Sequence, residues 1–416
     1  MKIAIIGAGI SGLTAAYVLS ERHQVSVFEK AERIGGHTAT MDVHIDGQDY
    51  AIDTGFIVYN DWTYPNFIRL LNKIGVANQC TSMGFSVSCE QTGLEYAGNN
   101  IPSLFAQKRN LFSSAFLGML RDIVRFNREA KQDLANNSIG QDISLGEYLT
   151  ERGYSDMFIH YYLVPMGAAI WSASFASIKN FPLLFFVRFF SNHGLLNIGD
   201  RPQWRVIKGG SKTYLGPLTK PFAENIHVKA GINQVLRLDK GVKIIFDNGD
   251  VKWFDEVIIA THSDEALELL GDASEDEQAV LGDIPYEEND VVLHYDESLL
   301  PKRKRAWSSW NYRMQGADQE RPVLTYNMNI LQGIKAKKTF CVTLNATDKI
   351  DPNKILGRYR YAHPQFSLAG IRAQDRWSLI NGVNHTWFCG AYWRNGFHED
   401  GVVSALNVTE ALGVFL

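Results

Sequence analysis

Three glycines near the start of the chain have the spacing that binds the pyrophosphate of a dinucleotide. Gly7 permits a tight turn, Gly9 lets the backbone approach a pyrophosphate, and Gly12 lets a helix pack close to a strand. Glu29 is positioned to accept hydrogen bonds from an adenosine ribose, and its carboxylate disfavours a 2′-phosphate, so NADP is a poor candidate. A dinucleotide is therefore expected at Gly7, Gly9, Ile10, Ser11, Gly12, Glu29 and Lys30.

Later segments decide between NAD and FAD, which share this first fingerprint. Read alone, Gly35-Gly36 is a plain turn. Taken together, the segments resemble motifs of the flavin-containing amine oxidase and phytoene desaturase-like superfamily. The residues that carry this resemblance are Arg33, Gly35, Gly36, His37, Thr38, Thr54, Gly55, Phe56, Gly210, Ile232, Ala260, Gly390, Asp400, Gly401 and Val402.

The resemblance implies non-covalent FAD and gives each segment a place along it. The loop at 33–38 would pass along the diphosphate and the isoalloxazine ring, Gly210 would face the flavin edge, and Ile232 would contact the adenine. Gly390 would approach the ribityl chain. A helix that starts near Gly401 would point its N-terminus at the flavin N1 and C2 carbonyl, where reduced flavin carries negative charge.

The chain departs from the family pattern at two positions and offers two catalytic candidates. His37 stands where relatives usually have a second arginine, and Ala391 where many have an acid. Asp400 would cap the closing helix instead. Lys208 would hold a water near flavin N5, as a lysine does in some amine oxidases, with a surface lysine as the alternative. His398 would serve as a base, with a solvated helix cap as the alternative.

Three segments resemble a narrower branch of bacterial flavoproteins. Its members are similar to the oxidase-like N-terminal region of plant cyclopropane fatty acid synthases and to desaturases of furan fatty acid formation. This resemblance implies a fatty acyl substrate, in one version methyl-branched and still part of a phospholipid, whereas ordinary core is the structural alternative for the aromatic side chains. The segments are residues 160–172, 307–312 and 326–332.

The function expected from these features is transfer of a hydride from a substrate carbon to flavin N5, desaturating a fatty acyl chain. Two alternatives stay open. One is an oxidase of small amines or amino acids that produces hydrogen peroxide. The other is a non-catalytic flavoprotein partner of a lipid methyltransferase.

The expected fold is α/β, with a Rossmann-like FAD-binding domain interleaved with an α+β substrate domain. Strands at 2–6 and 25–29 flank a helix at 11–21 and form a βαβ start. Strand signals return after residue 225, so the chain goes back to the first domain. The FAD-binding domain is expected at 1–75, 200–290 and 376–416, and the substrate domain at 76–199 and 291–375.

Composition excludes several classes of protein. With 41 basic and 45 acidic residues, the net charge of -4 gives no broad field that would recruit nucleic acid. The histidines lack HxxxH or HxH spacing, so no metal is expected. Four cysteines without a CxxC pair are expected to be free thiols in a reducing cytoplasm.

The longest apolar stretch, residues 181–190, is shorter than the roughly 20 residues that span a bilayer. Aromatic side chains cluster between residues 154 and 204 and predict ordinary core or, alternatively, a greasy substrate pocket or a face that touches a membrane. The basic run at 301–305 is a solvated loop or a site for phospholipid headgroups. A cytoplasmic protein is expected, with peripheral contact at the inner membrane face and the oligomeric state both left open.

Overall fold

The computed structural model describes residues 1–316 and 323–416. Residues 317–322 of the predicted substrate domain lie outside the described residues. The β-strands of the described chain are β1 Lys2–Ile6, β2 Gln24–Phe28, β3 Thr40–Ile45, β4 Gln48–Asp53, β5 Val58–Asn60, β6 Asn78–Cys80, β7 Phe85–Cys89, β8 Glu95–Ala97, β9 Trp204–Ile207, β10 Ile226–His227, β11 Ile232–Leu238, β12 Gly241–Phe246, β13 Val251–Phe254, β14 Glu256–Ile259, β15 Tyr286–His294, β16 Trp310–Met314, β17 Val323–Asn327, β18 Cys341–Leu344, β19 Ile355–Pro364 and β20 Thr386–Phe388.

The α-helices of the same ranges lie mainly between these strands. They are α1 Ile10–Leu19, α2 Pro65–Lys73, α3 Ile101–Leu104, α4 Ser114–Ala135, α5 Leu145–Glu151, α6 Asp156–Phe158, α7 Val164–Trp171, α8 Phe175–Lys179, α9 Leu183–Asn192, α10 Leu215–Thr219, α11 Ser263–Leu269, α12 Glu275–Gly282, α13 Met328–Leu331, α14 Leu368–Asp375, α15 Trp377–Ile380 and α16 His398–Ala411.

A parallel sheet with the order β10-β2-β1-β14-β20 forms the centre of the first domain. Successive side chains of β1 point to opposite faces of this sheet. Ile3 and Ile5 pack with α1 and α16, whereas Ala4 and Ile6 pack against the antiparallel sheet β11-β12-β13. Both faces are therefore buried, as is usual for a parallel sheet. The βαβ start predicted from the sequence is present.

The second sheet has the order β19-β15-β18-β17-β16-β7-β8 and combines distant parts of the chain. Its pairings are antiparallel except that of β16 with β7, which is parallel. The helices from α4 to α9 supply most of the aromatic core beside this sheet. Where the chain returns to this sheet, β15 begins at Tyr286, five residues before the predicted domain boundary at 291.

The aromatic stretch at 181–190 belongs to this core. Phe181, Phe186 and Phe190 are each exposed by 2% or less. Trp171 packs against Phe181 and Phe186, at ring-centroid distances of 4.7 and 5.8 Å. The core interpretation is confirmed, and a membrane-touching face at this stretch was wrong because its rings are already covered by protein.

Two other sequence expectations concern thiols and membrane spans. All four cysteines are free, and Cys80 alone of the four is exposed. None of the described helices has both the length and the apolar character that crossing a bilayer requires.

The buried His294 makes stability depend on pH. Its Nδ1 accepts a hydrogen bond from the Asp296 N–H at 3.0 Å, and its Nε2 lies 2.7 Å from Thr343 Oγ1. Burial lowers the pKa of His294 from 6.5 to about 4, so the folded imidazole stays neutral where the unfolded one takes up a proton. This contribution to stability is complete above pH 6.5 and is lost as the pH falls toward 4.

We expect the fall in unfolding free energy on acidification to be shallower in a His294→Gln variant. The difference should approach about 1.4 kcal/mol per pH unit between pH 6 and 5, the contribution of one proton. Urea unfolding of the wild type and the variant at several pH values measures it. Gln132→Asn changes an exposed side chain that does not titrate and should keep the wild-type slope. Equal slopes for wild type and His294→Gln would contradict the expectation.

Candidate cofactor and substrate site

A cavity of about 930 Å³ lies where the two domains meet. This volume is near the upper end of the range of roughly 300–1,000 Å³ for small-molecule and cofactor sites. Most of the residues predicted to bind a cofactor line it. They are Gly7, Gly9, Ile10, Ser11, Glu29, Lys30, Arg33, Gly35, Gly36, His37, Thr54, Gly55, Phe56, Ile232, Ala260 and Gly390, together with the catalytic candidate His398.

The glycine loop has the geometry that its spacing predicts. Gly7 has a φ of +101°, and a Cβ there would lie 2.8 Å from the Ala260 carbonyl oxygen. A Cβ on Gly12 would lie 2.0 Å from the Gly7 carbonyl oxygen, so Gly12 packs α1 onto the loop and does not line the cavity. At Gly9 the same test meets no atom within 4 Å. The N-terminus of α1 is thus open toward the cavity and available to an anion.

Backbone groups hold the acidic residue that follows β2. The carboxylate of Glu29 accepts hydrogen bonds from the Ala8 N–H and the Ala31 N–H, both at 2.9 Å. Each of its oxygens can accept a further bond, so Glu29 can still receive a ribose hydroxyl. Arg33 donates to the Gly36 carbonyl at 2.9 Å and fixes the glycine turn beside the cavity.

Thr38 lies beneath the cavity wall and supports His398. Its hydroxyl contacts the Tyr214 hydroxyl, and both oxygens lie 3.1 Å from His398 Nε2. The imidazole stacks on Phe56 with 3.6 Å between ring centroids. Burial lowers the pKa of His398 to about 3, so the ring is neutral near pH 7. Thr38 therefore orients a cavity residue without lining the cavity itself.

Two histidines that the sequence patterns did not indicate as site residues lie beside His37. The ring of His37 is 5.4 Å from that of His363 and 6.1 Å from that of His262. Burial, reinforced by the neighbouring imidazoles, holds the pKa of His37 well below its usual range. Among the described residues, His37 Nε2 has no hydrogen-bond partner although it is buried. In the same ranges no group of three or more His, Cys, Asp or Glu side chains is arranged to hold a metal.

The closing helix begins earlier than predicted. Asp400 accepts a hydrogen bond from the Phe397 N–H at 2.9 Å and so caps α16, which begins at His398. The Gly401 N–H donates to the Phe397 carbonyl within the helix. The N–H groups that helix geometry leaves available are therefore those of residues 398–400. This corrects the predicted start at Gly401.

Three predicted contacts on α16 serve packing, since Asp400, Gly401 and Val402 do not line the cavity. A Cβ on Gly401 would lie 2.8 Å from Ser11 Oγ, so the glycine lets α16 approach α1. Val402 is fully buried in the core of the first domain. These residues were predicted to contact a cofactor. In the structure they instead support the glycine loop beside the cavity.

Two residues after β9 also lie elsewhere than predicted. Lys208 is exposed and outside the cavity lining, and its backbone N–H bonds to the Ala77 carbonyl. The exposure of Lys208 favours the alternative of a surface lysine. Gly210 has a φ of +93°, and a Cβ there would lie 2.4 Å from Thr40 Cγ2 and 3.3 Å from Asp53 Oδ1. Gly210 serves the turn around Asp53 instead of facing the cavity.

The buried carboxylate of Asp53 joins three parts of the chain. Asp53 Oδ1 accepts from the Thr40 hydroxyl at 2.6 Å, from the Ser211 N–H at 2.8 Å and from the Ser211 hydroxyl at 2.9 Å. Gln332 donates to Oδ2 at 3.1 Å, and its own carbonyl accepts the Asp53 N–H. Burial raises the pKa of Asp53 to about 6 despite these donors. The segment with Phe56 is thereby tied to both domains.

The second domain contributes an aromatic end to the cavity. Ile170, Trp171, Ser172, Trp310 and Tyr326 line it. They come from the three segments that resemble the narrower branch. The alternative interpretation placed the aromatic side chains of these segments in the core. These five side chains line the cavity.

Replacing Asp53 with Asn should lower the free energy of unfolding by about 1–3 kcal/mol. The new amide hydrogens would face donors of Gln332 or Ser211 in a buried site. Chemical denaturation at pH 7.5 measures the change. Asp239→Asn, at an exposed turn, is the matched control and should be neutral. A fully stable Asp53→Asn protein would show that the carboxylate is not required for this junction.

Comparison with known proteins covers the chain unevenly. Residues 5–74 match the family model of the NAD(P)-binding Rossmann-like domain. The zeta-carotene desaturase of Zea mays is 24% identical over 262 residues, which cover 57% of this chain and 43% of that protein. The match thus spans less than half the length of this curated relative.

Solved structures match over nearly the whole chain. Cyclohexylamine oxidase from Brevibacterium oxydans has a TM-score of 0.67 at 16% identity, with 99% of both chains covered. The CLA-producing fatty acid isomerase from P. acnes has a TM-score of 0.69 at 16% identity, with 98% of both chains covered. The expected resemblance is confirmed for the fold: the chain carries a Rossmann-like domain and has the overall fold of these solved structures.

Proposed function

We propose that the protein is an FAD-dependent oxidoreductase that desaturates a fatty acyl chain. The observation that carries the proposal is the division of one cavity into two ends. One end has the glycine loop, Glu29 and Arg33, and the other is aromatic and apolar around His398. A dinucleotide cofactor and an apolar substrate would therefore meet inside a single enclosure.

The nucleotide end fits FAD by three features of its own residues. Open space at Gly9 admits a diphosphate against the α1 N-terminus. Glu29 keeps acceptor capacity for a ribose hydroxyl. His37 belongs to the 33–38 loop, and its Nε2 is buried without a hydrogen-bond partner among the described residues. A ligand atom in the cavity would provide that partner. Four segments of the flavin-type resemblance reach the cavity, at Arg33, Thr54, Ile232 and Gly390, whereas the segment with Gly210 does not.

Aromatic packing connects the other end to His398. Phe397, the neighbour of His398 in the chain, stacks on Phe189 at 5.2 Å, and Phe189 packs on Trp171 at 4.7 Å. Phe366, which also lines the cavity, stacks on Phe185 at 5.2 Å. Such walls would hold an acyl chain by its apolar surface and keep water away from the reacting carbons.

The chemistry divides between the cofactor and the protein. Bound FAD would accept the hydride that leaves a substrate carbon. The aromatic walls would orient the acyl chain so that the reacting carbon stays in a fixed position. His398 would take the second hydrogen as a proton, because it lines the cavity and the hydroxyls of Thr38 and Tyr214 hold its Nε2. Burial lowers its pKa to about 3, so in the free protein His398 is a weak base.

The similar proteins support an apolar substrate by their names. One is a carotene desaturase and another a fatty acid isomerase. An amine oxidase is the second candidate, favoured by the edge-to-face pair of Trp310 and Tyr326 in the cavity, 5.2 Å apart. Aromatic rings in such pairs also attract ammonium groups.

Gly9→Val should abolish retention of FAD while leaving the fold intact. Backbone φ at Gly9 is ordinary and a Cβ meets no atom within 4 Å, so only the space for a diphosphate is lost. Purified wild-type protein should be yellow, and the variant colourless with an unchanged unfolding midpoint. Gly199→Val, at an exposed open position, should stay yellow. A wild-type protein that remains colourless after FAD is added would overturn the cofactor assignment.

A methyl-branched phospholipid should bleach the visible flavin absorbance under anaerobic conditions, whereas cyclohexylamine and putrescine should not. His398→Gln should slow bleaching by about 10²–10⁴-fold at unchanged FAD content, because a proton acceptor is lost. His44→Gln changes an exposed histidine outside the cavity lining and should keep the rate. Bleaching by amines alone would favour the second candidate. Bleaching by neither, with tight binding to a lipid methyltransferase, would favour a non-catalytic partner.

A further inference from the structure

Exposed apolar side chains concentrate on one short part of the second domain. Among the described residues, fifteen large hydrophobic side chains are exposed, and five of them lie between residues 101 and 124. Phe112 is 88% exposed and Ile101 74%, the two highest values of the fifteen. Single exposed apolar residues are normal, but a local concentration marks an interaction surface.

These side chains lie on consecutive short elements of the second domain. Ile101 begins α3, and Leu111 and Phe112 end a 3₁₀ turn that leads directly into α4. Along α4, Leu117 and Val124 are exposed seven residues apart, two helical turns along the same face. We call the surface formed by Ile101, Leu111, Phe112, Leu117 and Val124 the apolar face.

The charge around the apolar face is positive. Residues 98–128 contain five arginines or lysines and one acid, Asp122, which is buried and bonded to Ser155. Two of these cations, Arg125 and Arg128, pair with Glu129, which leaves Lys108, Arg109 and Arg121. Arg121 lies between Leu117 and Val124 on the exposed side of α4. This local excess of cations contrasts with the chain's net charge of -4.

The basic run at 301–305 lies against the same part of the domain. The buried Glu95 accepts hydrogen bonds from the Lys302 N–H at 2.8 Å and from Arg303 Nη1 at 2.9 Å. The Glu95 N–H donates to Gln107, in the segment between α3 and the 3₁₀ turn. The turn Lys304–Ala306 also contacts α3. Lys302, Lys304 and Arg305 are exposed cations, and the turn that contains the last two lies beside α3.

We propose that the apolar face, together with the basic run at 301–305, is a docking surface for an anionic phospholipid bilayer. Apolar side chains of this kind enter the boundary between headgroups and acyl chains, while the surrounding cations meet lipid phosphates. The positive charge favours an anionic bilayer over a second copy of the chain, because two copies would bring the same cations face to face. The docking surface is separate from the buried stretch at 181–190 and does not rest on the proposed reaction.

Sedimentation with vesicles tests the proposal on the purified full-length protein. The protein should sediment with vesicles of phosphatidylcholine and phosphatidylglycerol in equal parts, and weakly with phosphatidylcholine alone. Ile101→Ser combined with Phe112→Ser should reduce partitioning at least tenfold. Changing Lys302, Lys304 and Arg305 to Gln should reduce it roughly 100-fold, at about fivefold for each cation. Arg303 is left in place because it pairs with the buried Glu95.

Trp253→Ser combined with Phe415→Ser removes two exposed aromatic residues far from this surface in the chain and should leave partitioning unchanged. Unfolding midpoints of all variants should match the wild type, since every changed side chain is exposed. Equal sedimentation of wild type and both surface variants would overturn the proposal. So would a dimer in analytical ultracentrifugation that Phe112→Ser dissociates, combined with no binding to vesicles.

Discussion

The arrangement of the site depends on one buried carboxylate, that of Asp53. Its oxygens are the shared acceptor for a strand of the first domain, for the turn after β9 and for a glutamine next to α13. Placing a carboxylate at 0% exposure is costly unless donors surround it. The donors come from Thr40, Ser211 and Gln332, so three distant segments must converge before the charge is satisfied. The position of the next residues, including Phe56 beneath His398, follows from that convergence.

A second constraint is close packing between helices α1 and α16. Gly401 faces Ser11 and Ile10 with no room for a side chain, and Gly12 faces the loop backbone in the same way. The two helices therefore bring their N-termini to one edge of the parallel sheet, beyond β1 and β20. Available N–H groups from both helices then point toward the same cavity. These N–H groups can stabilise anionic groups at the two ends of one ligand without a lysine or arginine at each end. This fits a chain that has His37 and Ala391 in place of the charged residues of its relatives.

Local sequence patterns predicted what local geometry determines. The βαβ start, the glycine loop and Glu29 could be placed because strand, turn and helix are adjacent in the chain, and the fold class followed. Gly210 was misplaced because its surroundings depend on Thr40 and Asp53, which are distant in sequence. His262 lies three residues beyond the carboxyl end of β14, where ligands of such sheets bind, so a signal for it was present. His363 had none, because β19 reaches the cavity only through pairing across the second sheet.

The parallel pairing of β16 with β7 has a consequence for the order in which the domain can be completed. Phe85 pairs with Trp310, 225 residues further along the chain. At about 5–20 residues per second, a ribosome would need roughly 10–45 s to synthesise that interval. During this time β7 has its hairpin partner β8 on one edge but no neighbour on the other. Until β16 emerges, that free edge is a place where a nascent chain is vulnerable to pairing with the wrong strand and where a chaperone would be expected to act.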